Sequence, residues 1–140
     1  MDKVASFLKF IFYISVLFLI IVSLYPGSLL GILFYGDPGL QPNLAWNPLY
    51  TPLPHLYKIA GIINHFIIYF FISILGLCLY LRNRNFQKLA YGLFSLSILL
   101  EFLQFAIPRR AFEILDLSAN FAGVLVAYCL IKIYKSRSRL

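Results

Sequence analysis

The sequence predicts an all-α integral membrane protein, a bundle of four transmembrane helices. Of its 140 residues, 61% are hydrophobic and only 12% are charged, whereas about a quarter of the residues in a soluble domain are charged. Four apolar runs are each long enough to cross a bilayer. Basic residues concentrate at alternate ends of these runs, as the positive-inside rule requires. We therefore predict one membrane domain covering residues 1–140.

The first helix is predicted at residues 4–24, a length that spans about 30 Å at 1.5 Å per residue. A cleaved signal peptide is the alternative interpretation. The apolar core is longer than a typical signal-peptide core, and no cleavage site of the A-x-A type follows it. We expect an uncleaved helix that ends before Pro26 and Gly27.

A proline-rich loop is predicted outside the membrane between helices one and two. Residues 26–56 contain six of the seven prolines, which exclude one continuous helix. Residues 28–35 are apolar and could form a short interfacial helix. Aromatic rings suited to the headgroup layer follow at Tyr35, Trp46, Tyr50 and Tyr57. Two interpretations stay open, an interfacial loop anchored by these rings and a lid over the polar residues described below.

Three further helices are predicted at residues 58–81, 89–107 and 116–134. On the second helix, three- and four-residue steps place several small and polar residues on one face, namely Gly61, His65, Tyr69, Ser73 and Gly76. On the third, one stripe carries Ser97, Glu101 and Gln104. Pro108 ends that helix. Cys78 and Cys129 are expected as reduced, buried thiols, because both fall near the predicted cytoplasmic ends of helices. No CxxC or Cys/His metal-ligand spacing exists.

Charge sets the predicted orientation, with both termini in the cytoplasm. Nine of the twelve lysines and arginines then lie inside, and only Lys58, Arg109 and Arg110 lie outside. The same bias accounts for the net charge of +7 without a nucleic-acid partner. No basic patch interleaved with recognition residues is present, so we expect no nucleic-acid binding.

Polar residues on three helices fall at one predicted depth near the outer surface. Glu101 lies about 10 Å below Pro108, His65 about 10 Å below the start of its helix, and Asn120 about 6 Å below the start of the fourth. Ionisable residues inside a membrane are expensive, and interhelical hydrogen bonds return on average only about 0.6 kcal/mol each. Function is therefore the better explanation of this depth match.

These residues form the predicted ligand-binding site, which consists of His65, Tyr69, Glu101, Gln104, Arg110, Asp116 and Asn120. Structural explanations stay open for some of them. Asp116 could cap the fourth helix, and Arg110 could pair with Asp116 or contact lipid phosphate. Ala119 and Gly123 form a small-xxx-small pair that would allow close helix approach. A metal held by His65, Glu101 and Asp116 is the less favoured reading, and we predict neither a metal nor a cofactor.

This set of residues resembles the VanZ-like family of small bacterial membrane proteins. The matching residues of the third and fourth helices are Glu101, Gln104, Pro108, Arg110, Asp116, Asn120 and Gly123. Two upstream elements also match, Ser23-Leu24 with Pro26, and His65-Phe66 with Tyr69. The family pattern has Gly at the position of Arg109, and an Asp-Lys pair at Gly61 and Ile62. That second departure removes an acidic residue from the site. The family's namesake is linked to low-level resistance to teicoplanin, which acts at the outer membrane face.

Three classes of function follow. The leading hypothesis is a multi-pass protein of the bacterial cytoplasmic membrane whose outer-leaflet pocket binds a lipid-linked or phosphate-bearing envelope component, with Arg110 on the phosphate. Its partners would be membrane lipids or that precursor, with a homo-oligomer or another membrane protein as a further partner. The alternative is an intramembrane transferase or hydrolase with His65 or Glu101 as general base. A small transporter or channel element is the third class.

Overall fold

Four helices make up the described part of the chain. The computed structural model describes residues 2–25, 54–107 and 112–137, and no strand occurs within those ranges. The helices are α1 (Asp2–Leu24), α2 (Pro54–Leu79), α3 (Phe86–Gln104) and α4 (Ile114–Arg137). All four are long and apolar enough to cross a membrane. The prediction of an all-α protein with four membrane-spanning helices is confirmed.

The helix ends differ from the predicted ones by a few residues. Helix α2 begins at Pro54 rather than at residue 58, because proline is tolerated in the first turn, where its missing N–H has no helical partner. Helix α3 ends at Gln104, and residues 105–107 continue as tighter turns. There Phe105, Ala106 and Ile107 donate backbone hydrogen bonds to the carbonyl three residues earlier.

Several predicted features lie outside the described residues. They are the proline-rich loop, the short helix at residues 28–35, and the two arginines Arg109 and Arg110. The predicted site is therefore described without Arg110.

Helices α2 and α4 form the principal pair of the bundle. Helix α3 packs mainly against α4, and α1 lies against α2 and α3. The core between them is apolar and includes Phe12, Leu77, Leu93, Val124 and Ala127. Large apolar side chains on the outer surface, such as those of Phe71 and Phe102, are exposed. That surface suits contact with lipid chains, since a bilayer removes the need for a polar exterior.

Gly123 sets the distance between α2 and α4. A Cβ atom at this position would lie 2.5 Å from the carbonyl oxygen of Phe66 and 2.9 Å from the amide nitrogen of Phe70. Both are backbone atoms of α2, so only glycine fits here without moving a helix. Ala119, one turn earlier on α4, is also buried. The close helix approach expected from this small-residue pair is confirmed at Gly123.

The two cysteines are free, but both are exposed. The expectation that Cys78 and Cys129 would be buried was wrong. Cys78 follows the fully buried Leu77, and successive helix positions point about 100° apart. The thiol therefore falls on the outer face of α2, beside the core rather than in it.

Candidate functional site

A polar cluster joins three helices near the start of α4. We use this name for His65 of α2, Glu101 of α3, and Asp116 and Asn120 of α4. Glu101 and Asn120 are 1% exposed, whereas the side chains of His65 and Asp116 are 36% and 22% exposed. The cluster therefore has a buried half and a half that a ligand could reach.

Glu101 forms the base of the buried half. Its Oε2 atom accepts a hydrogen bond from Nδ2 of Asn120 at 3.2 Å. Its Oε1 atom accepts a second from the backbone N–H of Glu113, also at 3.2 Å. Glu113 immediately precedes α4, whose N-terminal end carries a partial positive charge. Both carboxylate oxygens are thus supplied with donors, which is what a buried acidic side chain requires.

Asn120 links Glu101 to His65, because its side-chain amide contacts both residues. Its Oδ1 atom lies 2.9 Å from Nδ1 of the His65 ring. Because the amide nitrogen of Asn120 donates to Glu101, the oxygen faces His65 and can only accept. Nδ1 of His65 must therefore carry the hydrogen in this contact. The carboxylate of Glu101 thus determines which ring nitrogen of His65 is the donor, through the amide of Asn120.

Asp116 lies at the other nitrogen of the same ring. Its Oδ2 atom is 3.5 Å from Nε2 of His65, within ion-pair range but longer than an optimal hydrogen bond. The imidazole is therefore oriented from both sides, by an amide and by a carboxylate. Asp116 is the third residue of α4, which begins at Ile114, so it lies within the first turn of this helix rather than at its N-cap position.

Tyr69 lies one helical turn beyond His65 on the inner face of α2. It is 4% exposed, and its hydroxyl is within hydrogen-bonding reach of Ser23 near the end of α1. The tyrosine thus lies where α1 meets the helix that carries His65. Directly opposite, Gly123 brings α4 against the backbone of α2 at Phe66. This close approach allows His65 and Asn120, on the next turn, to meet.

Gln104 shares the inner face of α3 with Glu101 but does not join the network. It is 7% exposed, and its side chain makes no hydrogen bond to any residue that the structure describes. Four of the seven predicted site residues, those of the polar cluster, are thus directly linked. Tyr69 lies beneath them and Gln104 lies beside them. Arg110 is outside the described ranges.

Sequence reasoning missed the backbone N–H of Glu113. Glu113 lies in the link before α4 and is exposed. Its main chain nevertheless supplies one of the two donors to Glu101. No side-chain pattern could reveal this contact, because every residue except proline carries such a donor.

The cluster does not form a metal cage. Within the described ranges, no group of three or more His, Cys, Asp or Glu side chains could hold a metal ion. The oxygens of Glu101 are occupied by N–H donors, which compete with metal coordination. The arrangement suits hydrogen-bond recognition or proton transfer at His65 instead.

Comparison with known proteins gives one family. The family model described as VanZ/LLP1 matches residues 10–135, a range that begins within α1, ends within α4, and includes α2, α3 and every residue of the polar cluster. No curated protein and no solved structure gives a significant match.

Proposed function

The chain belongs to the VanZ/LLP1 family and is a multi-pass membrane protein, and we propose that its polar cluster binds a lipid-linked, phosphate-bearing component of the bacterial cell envelope. The single observation that supports this most is the division of the cluster into two halves. His65 and Asp116 are partly exposed, while Asn120, which is itself bonded to Glu101, holds His65 from a buried position.

Stability alone is a weak reason for such a cluster. Interhelical hydrogen bonds in membrane proteins contribute on average about 0.6 kcal/mol each. An acidic side chain at the centre of a membrane helix costs about 2.5–3.5 kcal/mol. A binding site benefits from the same network for a different reason, because recognition groups must be held rigidly by residues behind them. Glu101 and Asn120 fill that supporting role for His65.

The ligand's polar groups would be divided between the cluster and Arg110. The imidazole and carboxylate of His65 and Asp116 suit hydroxyl or amine groups, which can both donate and accept hydrogen bonds. Arg110 precedes α4 by only a few residues, and its planar guanidinium suits a phosphate. Gln104 and Tyr69 complete the polar wall. The apolar outer surface of the bundle leaves the ligand's hydrocarbon tail in the bilayer.

The proposed location is the outer leaflet of the bacterial cytoplasmic membrane. The distribution of lysine and arginine supports this orientation, since it places the basic α2–α3 connection inside and the start of α4 outside. Envelope precursors displayed in that leaflet would meet the cluster directly. An effect on glycopeptide susceptibility follows from this role, with membrane lipids, a second copy of the chain or another membrane protein as partners.

Native mass spectrometry of the purified protein tests the proposal. We expect wild-type protein to retain a polyprenyl-diphosphate-linked sugar in preference to phosphatidylethanolamine. Arg110→Ala should reduce that retention at least about tenfold, because a hydrogen bond to a charged group is worth about 1.5–3 kcal/mol. Arg109→Ala is the matched control, since it removes the same charge from the neighbouring position. Equal retention of both lipids, or equal losses in the two variants, would refute the proposal.

A second candidate function is an intramembrane transferase or hydrolase acting on a lipid head group. The observation in its favour is the imidazole of His65, which is 36% exposed and is held at Nδ1 by Asn120, leaving Nε2, 3.5 Å from Asp116, to accept a proton. His65 is better placed than Glu101 as general base, because the Glu101 side chain is 1% exposed and both its oxygens are bonded. Incubation with a polyprenyl-diphosphate-linked sugar would release or transfer the head group, and His65→Ala would abolish that product. Absence of product from wild-type protein would exclude this reaction.

A further inference from the structure

A basic cleft lies at the opposite end of the bundle from the polar cluster. It has a volume of about 590 Å³ and is formed where the α2–α3 connection meets the last turns of α4. Its polar lining consists of Arg82, Asn83, Arg84, Gln87 and Lys135. None of the described residues that line it is acidic. We call this the basic cleft.

The cleft combines positive charge with an apolar wall. Leu81, Phe86 and Tyr134 complete the lining, and Phe86 is 3% exposed. Nζ of Lys135 lies 4.4 Å from the centroid of the Phe86 ring, so the ring also positions a cation at the edge of the cleft. A ligand that fits must therefore present an anion beside an apolar portion.

The first turn of α3 adds to the positive potential. Helix α3 begins at Phe86, and Asn85 before it makes no side-chain capping bond. The N-terminal end of a helix attracts anions through its partial positive charge. Gln87 and Phe86, both in this turn, belong to the cleft lining. Two arginines, a lysine and a helix start thus converge on one cavity.

The position of the cleft identifies the source of the anion. Helix α2 ends at Leu79 and α3 begins at Phe86, so the cleft lies at the level where two apolar helices leave the membrane. Lipid head groups occupy this level on either face of a bilayer. We propose that the basic cleft binds the phosphate of an anionic phospholipid, with its glycerol backbone and upper acyl chains against Leu81 and Tyr134. This site is separate from the polar cluster, and it needs no assumption about which face is cytoplasmic.

Binding of single lipids in a neutral detergent tests the proposal, because no charged membrane surface is then present. The probes are phosphatidylglycerol, phosphatidylcholine and inorganic phosphate, each added to full-length protein and followed by native mass spectrometry. We expect one phosphatidylglycerol to bind in preference to phosphatidylcholine. Arg82→Gln with Arg84→Gln should weaken that binding about tenfold or more. Arg82→Lys with Arg84→Lys should keep part of it, since the charge remains but the planar fork is lost.

The matched control is Lys3→Gln with Lys88→Gln, which removes two charges outside the cleft lining. Lys88 follows Gln87 on α3, and Lys3 is near the start of α1. We expect less than about a twofold change, because at about 0.15 M salt exposed charges more than about 8 Å from the bound phosphate are largely screened. Equal losses in the two glutamine double variants would show a bulk charge effect and overturn the proposal. Equal binding of phosphatidylcholine, or binding of inorganic phosphate as tight as that of the lipid, would also overturn it.

Discussion

Nδ1 of His65 and Oδ1 of Asn120 lie 2.9 Å apart, and this contact joins the two helices that form the principal pair of the bundle. The same asparagine donates to Glu101 on a third helix. One amide thus fixes the orientation of an imidazole at the accessible side of the cluster and is itself fixed by a buried carboxylate. The close packing of α2 against α4 permits this arrangement.

A double-mutant cycle measures the contact between His65 and Asn120. We expect a coupling energy of about 0.6 kcal/mol between His65→Ala and Asn120→Ala, the average for interhelical hydrogen bonds in membranes. Asn120→Ala alone should lower the unfolding free energy by more, about 1–3 kcal/mol, because it also leaves Oε2 of Glu101 without its donor. Unfolding in mixed detergent micelles gives these values. Strictly additive single effects would contradict the contact.

Replacement of Gly123 by alanine should separate α2 from α4. The added Cβ would lie 2.5 Å from the carbonyl oxygen of Phe66, and a backbone atom cannot rotate away. We expect a loss of about 1–3 kcal/mol, the usual effect of overpacking a core. Gly92→Ala is the control, because its Cβ would meet no atom within 4 Å and should stabilise α3 by about 0.5–1 kcal/mol. A shift of both melting temperatures in the same direction would contradict this packing.

Ser73 should be more stable as alanine. It is 0% exposed, and its hydroxyl has no hydrogen-bond partner within the part of the chain that the structure describes. Burying such a group costs about 1–3 kcal/mol, so Ser73→Ala should raise the melting temperature in detergent. The comparison is Ser97→Ala, because the Ser97 hydroxyl donates to the carbonyl of Phe94 at 2.8 Å and its loss gains nothing. A lower melting temperature for Ser73→Ala would show that this hydroxyl has a partner.

Reporter fusions should find the α2–α3 connection inside the cell. Arg82, Arg84 and Lys88 lie in or next to this connection, and short basic connections are retained in the cytoplasm. An alkaline phosphatase fused after Arg84 should be inactive, and one fused within residues 38–53 should be active. The reverse pattern would place the polar cluster in the inner leaflet and the basic cleft outside.

Much of the fold and part of the site follow from the sequence. Four helices were predictable because the bilayer fixes the length and composition of a span. The meeting of His65, Glu101 and Asn120 was predictable from depth, since 1.5 Å per residue places them in the same slab of the membrane, with Asp116 at its rim. The start of α2 was harder to predict from the sequence, because the rule that proline breaks helices does not apply to the first turn, where Pro54 lies.

Two details of the site could not be derived from residue types. The donor from Glu113 to Glu101 belongs to the main chain, and its direction depends on how the chain turns between α3 and α4. The role of Asn120 as the link between Glu101 and His65 depends on the orientation of one amide. The sequence indicated a shared face for these side chains, but several pairings would satisfy the same donors and acceptors.

We propose that the polar cluster binds a lipid-linked envelope component. This is tested by measuring the affinity of the protein, in lipid nanodiscs, for a polyprenyl-diphosphate-linked sugar. We expect the wild-type protein to bind this ligand saturably. His65→Ala should weaken the binding by about tenfold or more, the effect of losing a hydrogen bond to a charged group. Ser118→Ala should leave the affinity unchanged, because among the described residues its hydroxyl bonds only to the carbonyl of Ile114 on the same helix. Unchanged affinity in His65→Ala, or no saturable binding by wild-type protein, would show that the polar cluster does not bind this ligand.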